Sequence, residues 1–182
     1  MKQSIFCIVL LVLFSACNRK TDIAKYVQHQ MGKKVVLDKS HYETKDNMLL
    51  DSLFENSLLL LLATPREKSC ASCFFSVLKD VHSFIDSCNT DKVNCIIFTP
   101  ENYDEYSDLK VKMEADHIFF INDYNDSYTK DNKLSKYTAD YKTFLVDNER
   151  RILLIGSPFF NKRVKQLYER EILAVLGKED NH

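Results

Sequence analysis

The chain has 182 residues, 45% hydrophobic and 28% charged, with 25 basic and 26 acidic side chains and a formal charge of −1. So even a balance lacks the basic excess of a phosphate-backbone binder, and nucleic acid is not an expected partner. With 3 glycines and 3 prolines the chain is no low-complexity or collagen-like protein, and its length suits one domain with a proper core.

The first residues read as an export signal. Lys2 supplies a positive start, Ile5 to Phe14 an apolar run, and Ser15-Ala16 the small residues ahead of Cys17. About 20 apolar residues are needed to cross a bilayer, so the run is too short to span one. Leu13-Phe14-Ser15-Ala16-Cys17 resembles the lipobox of bacterial lipoproteins, although Phe14 departs from the small or branched residue usual there. The resemblance implies cleavage before Cys17, a lipid on that cysteine, and a domain tethered to a membrane of the cell envelope, in the periplasm; the alternative is an ordinary secretory signal or an uncleaved anchor.

Asn18 to about Asp22 then form a tether, and Thr21 caps a short helix over Ile23 to Met31 that Gly32 ends. Lys33 to Leu37 predict a short edge strand, and Asp38 to Asn47 a polar connection. Ser57 to Ala63 is short, almost wholly apolar and bounded by Thr64-Pro65, which favours a strand covered on both faces over a helix. Phe74, Val77, Leu78, Val81, Phe84, Ile85 and Cys88 then recur at helical steps, so an amphipathic helix starts near Ser69 as its N-cap. Lys92 to Thr99 is a second buried strand, and strand, helix, strand in this order predicts parallel neighbours. Tyr103, Tyr106, Leu109 and Met113 mark another helix. His117 to Ile121 is a third strand, and a short helix follows around Ser127 to Leu134. Thr143 to Asp147, a turn at Asn148-Glu149, and Arg151 to Gly156 form a hairpin. Asn161 caps a last helix carrying Val164, Leu167, Tyr168, Ile172, Val175 and Leu176 to Gly177. The predicted plan is a signal over 1–16, a lipidated tether with short helix and edge strand over 17–56, an α/β domain over 57–177 and a tail over 178–182.

The chemistry sits in Cys70-Ala-Ser-Cys73. Cys70 stands at the first helical position and Cys73 one turn on, on the same side. The free N–H groups and positive dipole end of a helix stabilise a thiolate, so Cys70 is the expected nucleophile and Cys73 the resolving thiol. The strand–helix–strand order puts the pair at the carboxyl end of the sheet, where open α/β sheets place their sites. Cys88 lies about 22 Å along a continuous helix from Cys73 at roughly 1.5 Å per residue, too far to resolve the pair. Cys88 and Cys95 either form a second, structural disulfide or remain two small buried thiols. His82, nine residues past Cys73, falls on the opposite side of the helix, and His117 alone is weak support for a metal. No metal and no cofactor is therefore expected.

Strand, C-x-x-C helix, strand, inserted helix and strand, antiparallel hairpin and final helix, with Thr143-Phe144-Leu145-Val146-Asp147 opening the hairpin, resembles the thioredoxin fold. More narrowly it is similar to the membrane-anchored TlpA/ResA-like branch, over about Ser57 to Gly177. The resemblance implies a central mixed sheet flanked by helices, with a strand-helix insertion before the hairpin. It also implies disulfide exchange with envelope proteins bearing disulfides or thiols, in which Cys70 forms a mixed disulfide that Cys73 resolves. By the same resemblance, Tyr141, Lys142 and Thr143 are expected to form the substrate-binding loop. Three departures stand out. Ser69 replaces the usual tryptophan, Lys142 the usual cis-proline, and Leu58 to Leu62 offer no buried carboxylate. A cis bond before a non-proline residue costs about 2.5–4 kcal/mol, so a trans bond is expected ahead of Lys142. Lys142, Lys68 and Arg66 either place positive charge near Cys70 or are solvated surface charge. A peroxidase site is disfavoured, because Glu67 stands where peroxiredoxin-like sites use threonine. The competing expectation is a redox-inactive thioredoxin-like binding lipoprotein whose cysteines form a stable bridge.

Overall fold

The computed structural model describes residues 22–42, 50–55, 57, 59–63, 71–99, 116–159 and 161–179. The chain divides into two compact units, Met1–Met31 and Gly32–His182. In the first, residues 22–30 form helix α1, and the Met31 amide donates to the Val27 carbonyl at 3.1 Å. Gly32 follows at φ 76°, a left-handed conformation that glycine adopts without a Cβ clash, as expected of a helix stop.

The second unit is built on five strands, β1 (Leu59–Ala63), β2 (Val93–Thr99), β3 (Ile118–Asn122), β4 (Phe144–Asp147) and β5 (Ile152–Ile155). They lie in the order β3-β2-β1-β4-β5. β1 runs parallel to β2, with Leu59 opposite Val93 and Ala63 opposite Ile97, and β2 runs parallel to β3. On its other side β1 pairs antiparallel with β4, Leu59 opposite Asp147 and Leu62 opposite Phe144, and β4 turns back into β5. Strands this central must be apolar on both faces. All seven residues of β2 are buried.

The helices of this unit, among the described residues, are α2 (50–55), α3 (Ala71–Ser87), α4 (Ser127–Asp131) and α5 (Lys162–Glu179). α3 joins two parallel strands, as a crossover must. Its Leu78, Val81, Phe84 and Ile85 pack with Val93, Cys95, Ile97, Ile118, Phe120 and Leu145 from one sheet face and with Tyr168 and Ile172 of α5. Phe84 meets Phe159 and Tyr168 edge-on at 6.0 and 6.2 Å. Alternation along a strand sends the neighbouring residues to the other face. There Phe98 stacks on Tyr128 at 4.3 Å, Tyr128 meets Phe144 at 6.1 Å, and Tyr42 covers Phe98 at 5.8 Å.

Residues 32–42 form a strap rather than the expected edge strand. Lys34 makes a single antiparallel bridge with Arg151, backed by bonds from Gly32 N to Ile152 O, Ile152 N to Lys33 O and Val35 N to Arg150 O. Strand pairing then stops because a side chain takes over. Asn132 accepts from Val36 N at 2.9 Å and donates to Val36 O at 2.8 Å, copying a strand neighbour with its amide. Val35 and Leu37 are buried while Val36 faces out. Farther on, His41 meets Asp131 at 3.0 Å.

Two other details differ from expectation. Helix α2 was not anticipated, although Leu50, Leu53 and Phe54 are buried at helical spacing; Arg150 lies over the Phe54 ring at 4.7 Å. α5 starts as expected, Asn161 accepting from the amides of Arg163 and Val164 at 2.9 and 3.3 Å. It runs on to Glu179 rather than ending at Gly177, where nothing lies within 4 Å of a built Cβ and no positive φ is adopted. The stripe from Tyr103 to Met113 lies outside the described residues, as does the signal with Cys17. Among the described residues no helix is long and apolar enough to cross a membrane.

Candidate functional site

The chain leaves the carboxyl end of β1 at Ala63, and α3 begins at Ala71. Cys70 lies outside the described residues, immediately ahead of that helix. The expected Ser69 cap and the first helical position at Cys70 both lie outside the described residues. Cys73 is described through its backbone, which lies in the first turn. The opening turn of a helix carries unpaired N–H groups and partial positive charge.

The direction of α3 follows from its far end. Ile85, Asp86, Asn89 and Asp91 line an open cavity of about 430 Å³ together with His117, which precedes β3. That is the amino end of the parallel strands. A helix of 17 residues spans about 25 Å at 1.5 Å per residue, so its first turn stands at the opposite, carboxyl end. Extending the β1–β4 register by one residue sets Thr143 across from Ala63. Tyr141, Lys142 and Thr143 thus reach the same sheet end at which α3 begins.

Each of the three is held differently. Tyr141 closes a short 3-10 helix, Ala139–Tyr141, its amide donating to Thr138 O at 2.9 Å. Thr143 is buried, and its carbonyl accepts from Gly156 N at 2.9 Å. Lys142 is half-buried. No described peptide bond is cis, the bond ahead of Lys142 included. Its carbonyl accepts from the Tyr128 hydroxyl at 2.9 Å, a partner the sequence reading missed because nothing in the spacing of the two residues marks it.

Cys88 and Cys95 are free thiols, so of the two readings open from sequence the disulfide is not formed here. The Cys88 Sγ points along its own helix, 3.4 Å from Phe84 O. Cys95 is sealed in the core cluster. Burial pushes the Cys88 thiol up to about 11, with Glu169 adding to the rise and Lys165 offsetting it. Burial alone drives Cys95 higher still. Burial thus disfavours the thiolate, the form that attacks, at both positions.

His82 and His117 stand apart from the start of α3. His82 pairs with Asp86 at 3.4 Å. His117 Nδ1 lies 3.0 Å from Asn94 Oδ1, and Asn94 Nδ2 donates to Ser57 Oγ at 2.7 Å, a polar chain at the amino end of the sheet. His117 therefore stands at the opposite end of the sheet from α3's first turn. Among the described residues no three His, Cys, Asp or Glu side chains gather as metal ligands.

No protein-family model matches the chain, and no curated protein matches it in sequence. Solved structures do resemble it. A cysteine-to-serine mutant of PrxQ from Xylella fastidiosa is 13% identical, with 79% of this chain and 95% of that one covered at a TM-score of 0.51. A thioredoxin-like protein from Bacteroides caccae is 18% identical, covering 67% of this chain and 42% of its own length, TM-score 0.42. One from Parabacteroides distasonis is 11% identical, covering 65% and 82%, TM-score 0.45. With the strand order already described, the PrxQ likeness shows a thioredoxin-like α/β fold for this chain.

Proposed function

We propose that this protein exchanges disulfides with partner proteins of a bacterial cell envelope, through Cys70 and Cys73, while held to a membrane by a lipid on Cys17. One observation supports the reading: the described part of α3 opens at Ala71 and has Cys73 in its first turn, where a helix end is positively polarised, and Cys70 is the residue before Ala71 in sequence. The Cys70 thiolate attacks a partner disulfide, one partner sulfur leaves as thiolate, and a mixed disulfide forms. The Cys73 thiolate then attacks Cys70 Sγ and releases the second partner thiolate. Two electrons have passed from the protein's dithiol to the partner, and the reverse direction uses the same steps. The Tyr141–Thr143 loop at the same sheet end would receive the partner's backbone.

A second reading, a redox-inactive binding lipoprotein with a stable Cys70–Cys73 bridge, draws support from Lys142. With no proline, a trans bond and a carbonyl engaged internally, the loop has a shape of its own. The reduction potential of the purified protein, measured with the Cys70 pKa, separates the two. Exchange calls for a potential above about −300 mV and a Cys70 pKa under that of a free thiol, about 8.5. A lower potential with an unperturbed, unreactive Cys70 marks a structural bridge.

A further inference from the structure

Lys142 sits at the mouth of the candidate substrate loop with no ring to fix its backbone, so its conformation is set by what touches it. Tyr128 touches it from below. The tyrosine is fully buried, and its hydroxyl donates to Lys142 O at 2.9 Å. Everything about that hydroxyl is fixed in turn. The ring stacks on Phe98 at 4.3 Å and 5° and meets Phe144 edge-on at 63°. The Asp123 carboxylate takes the amides of Ser127 and Tyr128 at 2.6 and 2.9 Å, anchoring the start of α4. At the other end the Asn132 side chain donates to Tyr128 O at 2.9 Å while clamping the strap at Val36.

We infer that Tyr128 is the positioning residue of the Tyr141–Thr143 loop: by holding the Lys142 carbonyl inward it fixes how the Lys142 backbone meets an incoming polypeptide. The catalytic consequence rests on the exchange activity proposed above, whereas the positioning itself does not. A polypeptide carrying a disulfide uses that backbone. A small aliphatic disulfide, which reaches only the sulfurs, does not.

Tyr128→Phe removes the hydroxyl and keeps the stacked ring, so the variant should fold. Two measurements on the purified protein test the inference. In the first, hydrogen exchange at the Lys142 and Thr143 amides should speed up severalfold while Leu145 and Val146 keep their protection. Unchanged exchange at Lys142 and Thr143 overturns the inference whatever the redox activity. In the second, the apparent KM for a disulfide-bonded peptide should rise roughly 3- to 10-fold, the worth of one hydrogen bond, with the rate toward hydroxyethyl disulfide unchanged. Equal losses on both substrates also overturn it, since they mark general damage. Loosened amides in a protein that exchanges neither substrate would sustain the positioning and remove the exchange activity instead.

Discussion

Asn132→Ala tests whether one side-chain amide fastens the strap. The substitution removes two bonds to Val36, at 2.9 and 2.8 Å, and one to Tyr128 O at 2.9 Å. A net hydrogen bond contributes about 0.5–1.5 kcal/mol. The Val36 pair is exposed and belongs at the low end. Tyr128 O keeps a longer bond from the Asn132 backbone amide at 3.3 Å, so that loss is also modest. The sum is about 1.5–2 kcal/mol, or a melting point lower by about 3–8 °C for a chain of this size. Thermal unfolding followed by circular dichroism gives the shift, and hydrogen exchange at the Val36 amide shows where it arises. Asn132→Asp sharpens the test. It keeps the acceptor for Val36 N but sets a carboxylate oxygen against the Val36 and Tyr128 carbonyls, so despite equal size it should destabilise at least as much as alanine. A melting point within 1 °C of wild type, with the Val36 amide still protected in Asn132→Ala, would refute the clamp.

Other consequences follow from the core and its thiols. Phe84 is buried between α3 and α5 against Phe159 and Tyr168, and Phe84→Ala should cost about 3–5 kcal/mol in urea unfolding. Burial raises the thiol of Cys88 to about 11, and that of Cys95 further. In the folded protein both keep their protons while the unfolded chain loses them, so stability is intact below pH 9 and falls as pH rises toward 11. Cys95→Ala should show a shallower fall over that range; an identical slope would contradict the sealed thiol. Alkylation by iodoacetamide at pH 8 should spare Cys88 and Cys95 in the native protein and reach both in urea, as mass spectrometry would show.

The strands were legible because burial on two faces leaves uninterrupted apolar runs, as in Leu59–Ala63 and Val93–Thr99. The α3 stripe was legible for a related reason: Leu78, Val81, Phe84 and Ile85 fall at helical steps. The strap was misread because Val36 finds its partner in a side chain 96 residues away, which no local pattern records. α2 escapes the pattern because its described residues, 50–55, barely complete one repeat of helical periodicity. Gly177 was taken for a stop because glycine permits a left-handed turn without requiring one. At the site, sequence marked Cys70, Cys73 and the loop position of Lys142. It could not mark Tyr128, whose pairing with that loop exists only after α4 packs on the sheet.

The most direct test of the proposed exchange is mixed-disulfide trapping from envelope extracts with single-cysteine variants. Cys73→Ser should accumulate partner adducts that dithiothreitol releases, and Cys70→Ser should accumulate none. Adducts on Cys70→Ser, or none on either variant, would contradict a nucleophile placed at the mouth of α3.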